Sequence, residues 1–226
     1  MNSWTKAGFV YAHPDDESFL SAALIRQIAD CGGRPVLLVA TRGDAGQKNG
    51  DYGHVSKAEL AAIRDREMAE AAELLGLENV VQLGYPDGRL NEAGDELVAA
   101  VERFLREHKV EAVFTFPPDG GNGHPDHIAI SRAATAAATG GRCPNVRFLY
   151  YSWFPAMDSD GKKPDLAVET EPYWAVKAAA LRAHDSQKYA IERYFGSLDR
   201  IREDRRHEKF VLGWQAAESE KEKRKA

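Results

Sequence analysis

The chain carries its chemistry in two short runs. The first, His13-Pro14-Asp15-Asp16-Glu17, closes an apolar stretch and opens a helical one. The second, His124-Pro125-Asp126-His127, follows Gly120-Gly121-Asn122-Gly123, a loop rich in the residue that turns most freely. Together they supply three histidines and three aspartates. That inventory suits a mononuclear metal hydrolase, in which some groups hold the ion and others move protons. Helix capping is the plainer use of an Asp or a Pro at a helix start. It does not call for histidines set among carboxylates twice in one chain.

His13 and Asp16 lie three apart, close enough at a helix start to meet one ion. With His127 they form a three-ligand set that leaves a coordination position open, as catalytic sites do; a fourth protein ligand would mark a structural site. Two histidines and a carboxylate also describe non-haem iron sites, so ligand type leaves Zn2+ and Fe2+ both open. Asp15, His124 and Asp126 are then free for acid–base work.

Five short apolar segments read as buried parallel strands: 8–13, 35–41, 79–84, 111–116 and 147–152. Helical stretches fall between them at 17–31, 57–75, 91–109 and 127–139. This alternation predicts an α/β fold, a Rossmann-like three-layer αβα sandwich with a mostly parallel sheet of order 3-2-1-4-5. Strands one and four adjoin in that order. The crevice at their carboxyl ends is the switch point where ligands bind, and both histidine runs sit there. Beyond residue 152 the pattern predicts a loop over 155–164, a short strand at 166–170, and helices at 172–183 and 187–205. Residues 1–215 are expected to form one domain and 216–226 a charged, frayed tail.

Composition bounds the partners. The net charge is −5, without the clustered positive charge that nucleic acid requires. No apolar run approaches the ~20 residues that span a bilayer. Cys31 and Cys143 are isolated, which fits a reduced, cytoplasmic protein and rules a thiolate cluster out of the metal site. Phosphate-loop, dinucleotide, nucleophile-elbow and zinc-deaminase signatures are all missing. The expected partner is a soluble small molecule, with neither nucleic acid nor membrane; homo-oligomerisation is left open.

Weaker features gather at strand ends. Thr41, Gly43, Asp44 and Gly46 form a polar loop, and Asp87 sits in the turn Gly84-Tyr85-Pro86-Asp87-Gly88. Arg64 and Glu67 have the spacing of a surface ion pair on a helix. His184-Asp185-Ser186-Gln187 reads as helix capping by Asp185 or Ser186. His54, His108 and His207 read as surface residues.

On the motif Ala12 to Glu17 together with His124 to His127, the chain resembles the PIG-L/LmbE-like family of zinc-dependent N-deacetylases. The polar loop 41–46, Arg64 with Glu67, the turn 84–88 and residues 183–187 agree with it, so the likeness spans roughly residues 9 to 190. It implies one zinc ion per chain on His13, Asp16 and His127. It implies that Asp15 is the catalytic base, that His124 stabilises charge in the transition state and that Asp126 orients His124. Arg64 and Asp87 match positions that hydrogen-bond sugar hydroxyls. The implied reaction is removal of the acetyl group from an N-acetylglucosamine-containing small molecule, a bacillithiol-type precursor being favoured by the Asp-Glu-Ser opening at 16–18. The rivals are an amidase on a thiol conjugate or another N-acyl substrate, a metal phosphoesterase with a second ion, and a non-catalytic sugar-binding protein. The last has no need of a general base.

Overall fold

A computed structural model describes residues 4–46, 50–159, 161 and 163–217. In chain order the elements are β1 (Ala7–Tyr11), α1 (Asp16–Leu20), α2 (Ala22–Asp30), β2 (Val36–Thr41), α3 (Lys57–Leu75), β3 (Asn79–Tyr85), α4 (Gly94–Glu107), β4 (Ala112–Thr115), α5 (Pro125–Thr139), β5 (Phe148–Ser152), α6 (Ala156–Ser159), β6 (Leu166–Glu169), α7 (Trp174–Ala183), α8 (Lys188–Phe195) and β7 (His207–Gln215).

The sheet has seven strands in the order β3-β2-β1-β4-β5-β7-β6. The first five are parallel, as the strand–helix alternation predicts, and β1 pairs with both β2 and β4. Strands β1, β2 and β4 are buried along their whole length. Helices cover both faces, so these strands read in sequence as unbroken apolar runs rather than alternating ones. Phe9 of β1 stacks on Phe114 of β4 at 5.0 Å between ring centres, which helps fix the two strands that carry the histidine runs.

Four elements depart from the sequence reading. The helix expected over 17–31 breaks at Ser21 into α1 and α2. The break is stable because Glu208 of β7 accepts from the backbone N–H groups of Ala23 and Leu24, both at 2.9 Å, and caps the new helix start. Ser21 itself bonds the buried Tyr11 hydroxyl at 2.6 Å. The expected helix over 187–205 stops at Phe195, where Gly196 takes φ 72°. Residues 207–215, with no element expected, form β7, which pairs antiparallel with β5 and β6. The loop expected over 155–164 contains the short helix α6.

Residues 218–226 of the expected tail lie outside the described residues. Among the described residues no helix is long and apolar enough to cross a membrane.

Candidate active site

The two histidine runs meet where β1 and β4 lie side by side. His13 follows β1, and His124 and His127 stand at the start of α5. Nε2 of His127 is 3.2 Å from Nδ1 of His13. Asp16 places Oδ2 3.6 Å from that Nδ1 and Oδ1 3.6 Å from that Nε2. Bond lengths of about 2.0–2.2 Å put tetrahedral ligands about 3.3–3.6 Å apart, so this triangle fits one small divalent ion. Asp16 is held for the task, since its Oδ2 accepts from the backbone of His13 at 2.8 Å and of Ala12 at 3.2 Å.

The surroundings fix each ring. His127 lies flat on Phe116, 3.9 Å between ring centres at 10°. Its Nδ1 faces Asn122 Oδ1 at 3.0 Å and the Gly120 carbonyl at 3.3 Å, which puts the proton there and leaves Nε2 its lone pair. Burial, assisted by His13 and His124, pushes its pKa down to about 4, against the pull of Asp16. His13 turns Nε2 away from the trio toward Asp87 Oδ1 at 3.1 Å and Asp126 Oδ2 at 3.3 Å. Burial disfavours charge on His13, but Asp126, Asp16 and Asp87 outweigh it and raise the pKa well above the ordinary histidine range. A cation at Nδ1 therefore competes with a proton.

Asp15 stands next to the trio, and its side chain makes no capping hydrogen bond to α1. Its backbone sits at φ 112°, ψ −31°, on the positive-φ side that L residues rarely adopt. Oδ2 accepts from Arg64 Nη2 at 3.1 Å. Burial raises the Asp15 pKa to about 7; the Arg64 charge pulls it down and Asp16 pushes it up. A carboxyl that titrates near neutrality is matched to general-base work.

Arg64 and Glu67 are not a surface pair. Both are buried, and they point to different partners. Arg64 donates to the carbonyls of Pro14 and Gly43 and to Asp15, while its buried Nε has no partner among the described residues. One Nη1 proton and the Nε proton are all it has left for a ligand. Gly43 makes room for it: at φ 64°, a Cβ there would come within 2.4 Å of the guanidinium carbon. Glu67 instead accepts from the backbone N–H and the hydroxyl of Ser186, each at 2.7 Å. Asp87 spends Oδ1 on His13 and Oδ2 on the backbone of Ala45 at 2.8 Å, and its pKa is lowered to about 2 by His13 despite burial.

His124 caps α5, its Nδ1 accepting from the backbone N–H of Asp126 at 3.1 Å. With Nδ1 accepting, Nε2 is the ring nitrogen left to donate toward a ligand. The Asp126 carboxylate serves His13 and the loop after β3, accepting from Gly88 at 2.7 Å and Leu90 at 3.0 Å. Its link to His124 runs through the backbone. His13, His124 and Asp126 form a second group of donor atoms, which shares His13 with the first and so is not an independent site.

His13, Asp15, Asp16, Arg64, His124 and His127 line one cavity of about 440 Å³, with the buried Asp126 behind them. His13, Asp15, Asp87 and His124 form a polar wall; Phe19, Phe154 and Tyr194 form an aromatic one. Arg64 is the one Lys or Arg lining it among the described residues. Sequence reasoning missed Asn122, Glu17 and His184. Glu17 and His184 are fully buried and paired at 2.9 Å behind Asp15, whereas the sequence of residues 184–187 suggests helix capping.

A family profile described as GlcNAc-PI de-N-acetylase matches residues 9–138, more than half of the chain. The chain is 31% identical over 227 aligned residues to a 1D-myo-inositol 2-acetamido-2-deoxy-alpha-D-glucopyranoside deacetylase of Saccharomonospora viridis, covering 79% of this chain and 84% of the relative. It is 28% identical over 186 residues to a probable N-acetyl-alpha-D-glucosaminyl L-malate deacetylase 2 of Bacillus cereus, covering 80% and 83%. Among solved structures, N,N'-diacetylchitobiose deacetylase from Pyrococcus horikoshii shares the fold with a TM-score of 0.74 and 24% identity, over 92% of this chain and 83% of that one.

Proposed function

The chain belongs to the PIG-L family of GlcNAc-PI de-N-acetylases, and on that footing we propose that it is a zinc-dependent hydrolase that removes the acetyl group from an N-acetylglucosamine conjugate. One observation carries the reading: a carboxyl with a pKa of about 7, Asp15, stands beside a three-donor set inside a cavity of about 440 Å³. Sugar binding alone needs no such base.

His13, Asp16 and His127 hold the ion, and zinc suits two imidazoles with one carboxylate. Bound there, it supplies a Lewis acid and lowers the pKa of water. Asp15 acts through Oδ1, because Oδ2 is tied to Arg64. Oδ1 takes a proton from the attacking water as the water adds to the acetamide carbonyl. His124 donates from Nε2 to the oxygen that gains charge, its ring held by the Asp126 backbone. Asp15 then returns the proton to the leaving amine. The aromatic wall of Phe19, Phe154 and Tyr194 offers faces for the C–H side of the sugar or for its aglycone. Arg64 and Asp87 meet sugar hydroxyls with the hydrogen-bonding capacity they have left.

The relatives carry two different aglycones in their names, inositol and malate. The test is acetate release from N-acetylglucosaminyl-inositol, N-acetylglucosaminyl-malate and N,N'-diacetylchitobiose, with zinc-loaded and chelator-stripped protein. Zinc-dependent release from at least one is the expected result. No release from any of them would sink the assignment.

A further inference from the structure

We propose that the buried Glu17–His184 pair is the clamp that holds Asp15 in its left-handed backbone conformation and so aims its carboxylate. Both are positioning residues, and the proposal rests on the reading of Asp15 as the base. Among the described residues, Asp15 and Lys109 are the only non-glycines at positive φ. A residue with a Cβ stays there only when its neighbours over-determine it. Part of the hold is visible in the helix start, where the Phe19 N–H donates to the Asp15 carbonyl at 2.9 Å. Another part is Arg64, which grips the Pro14 carbonyl and Asp15 Oδ2. The third is the Asp15 N–H itself, which donates to Glu17 Oε2 at 3.1 Å.

That third contact needs Glu17 to stay bent back over its own helix end. Glu17 is fully buried, so its charge must be answered inside the protein. His184 Nε2 meets Oε1 at 2.9 Å, and the Ser18 hydroxyl donates to the same oxygen at 2.6 Å. His184 is also fully buried, and its Nδ1 has no partner among the described residues. The Glu17 bond is therefore what orients this ring. A buried ion pair contributes little net stability over apolar packing, so its worth here is geometric.

The clamp is indexed to α3. Two residues after His184, Ser186 is held by Glu67 through two bonds of 2.7 Å. One turn earlier on the same helix, Arg64 grips Asp15 directly. Both holds on the base are thus set from a single rigid helix.

The test compares His184→Leu, which removes the donor, with His184→Gln, which keeps an N–H donor near the Nε2 position. Metal-loaded full-length chains are assayed, and Asp15 φ is read from crystals. His184→Leu is expected to lower kcat by roughly 10- to 100-fold, with KM and metal per chain unchanged, and to release Asp15 to negative φ. His184→Gln is expected to recover kcat to within about threefold and to keep φ positive. If His184→Leu does not fold, Glu17→Gln/His184→Leu removes both charges together and carries the same expectation. Wild-type kcat with Asp15 still at positive φ in the Leu variant overturns the clamp. A wild-type protein inactive on every sugar overturns the deacetylase reading instead, and Asp15 φ in the variant crystals still decides the clamp.

Discussion

Nε2 of His13 lies 3.3 Å from Oδ2 of Asp126, on the side of the ring opposite the donor triangle. The same carboxylate accepts from the backbone of Gly88 and Leu90, which ties the loop after β3 to an imidazole of the donor triangle. A carboxylate behind a ligating histidine fixes its tautomer and makes it a better donor. Asp126→Asn keeps the shape and removes the charge. It is expected to weaken zinc affinity by roughly 10- to 100-fold, measured by competition with a chromogenic chelator. Unchanged affinity would mean that Asp87 alone suffices to orient His13.

Asp15→Asn tests the division of labour from the other side. The side chain contributes none of the three donors in the triangle. Metal content should stay near that of the unaltered chain while kcat falls by roughly 10²–10⁴-fold. His127→Ala should instead lose the metal. A fully active Asp15→Asn protein would leave Asp15 no role in the chemistry.

The pH profile separates two roles for Arg64. The base works when deprotonated, so kcat/KM should fall as pH drops through about 7, the Asp15 value set chiefly by burial. The Arg64 charge lowers that value, so Arg64→Met should move the acidic limb to higher pH. The limb should move equally for an N-acetylglucosaminide and for a small acetamide. A role in holding hydroxyls would appear differently, as a loss of about 1.5–3 kcal/mol in transition-state binding on the sugar alone. Asp87→Ala, measured on the same two substrates, makes the same distinction.

Glu208 should be expensive to remove. It is buried against Lys177 Nζ at 2.6 Å and caps α2 through two backbone N–H groups. Glu208→Ala strands a buried ammonium and uncaps the helix. The expected cost is about 3–5 kcal/mol in urea unfolding, with Lys177→Met/Glu208→Gln recovering much of it. A loss below about 1 kcal/mol would show that water reaches Lys177.

The sequence made the donor triangle legible because both histidine runs lie beyond the carboxyl ends of apolar strands, and the doubly wound order brings those strands together. His13, Asp16 and His127 needed only local spacing and that one topological step. The supports were hidden for a physical reason: their partners are remote. Spacing of three on a helix makes Arg64 and Glu67 look like neighbours, yet α3 is buried on that side and each finds a partner elsewhere. The break at Ser21 depends on Glu208, 185 residues from Ala23. Strand β7 is hard to read because it opens on His207, Glu208 and Lys209 and then runs Phe210-Val211-Leu212, a block pattern without the alternation that marks a strand, just ahead of the charged tail.

Glu17 and His184 are 167 residues apart in the chain. The stretch matched by the family profile, residues 9–138, contains every donor of the triangle but not His184. The donor triangle and the proposed clamp are therefore separable along the chain. The triangle closes between two neighbouring strands, whereas the clamp draws its histidine from beyond the profile. A fragment cut after residue 138 would keep all three donors and lack His184.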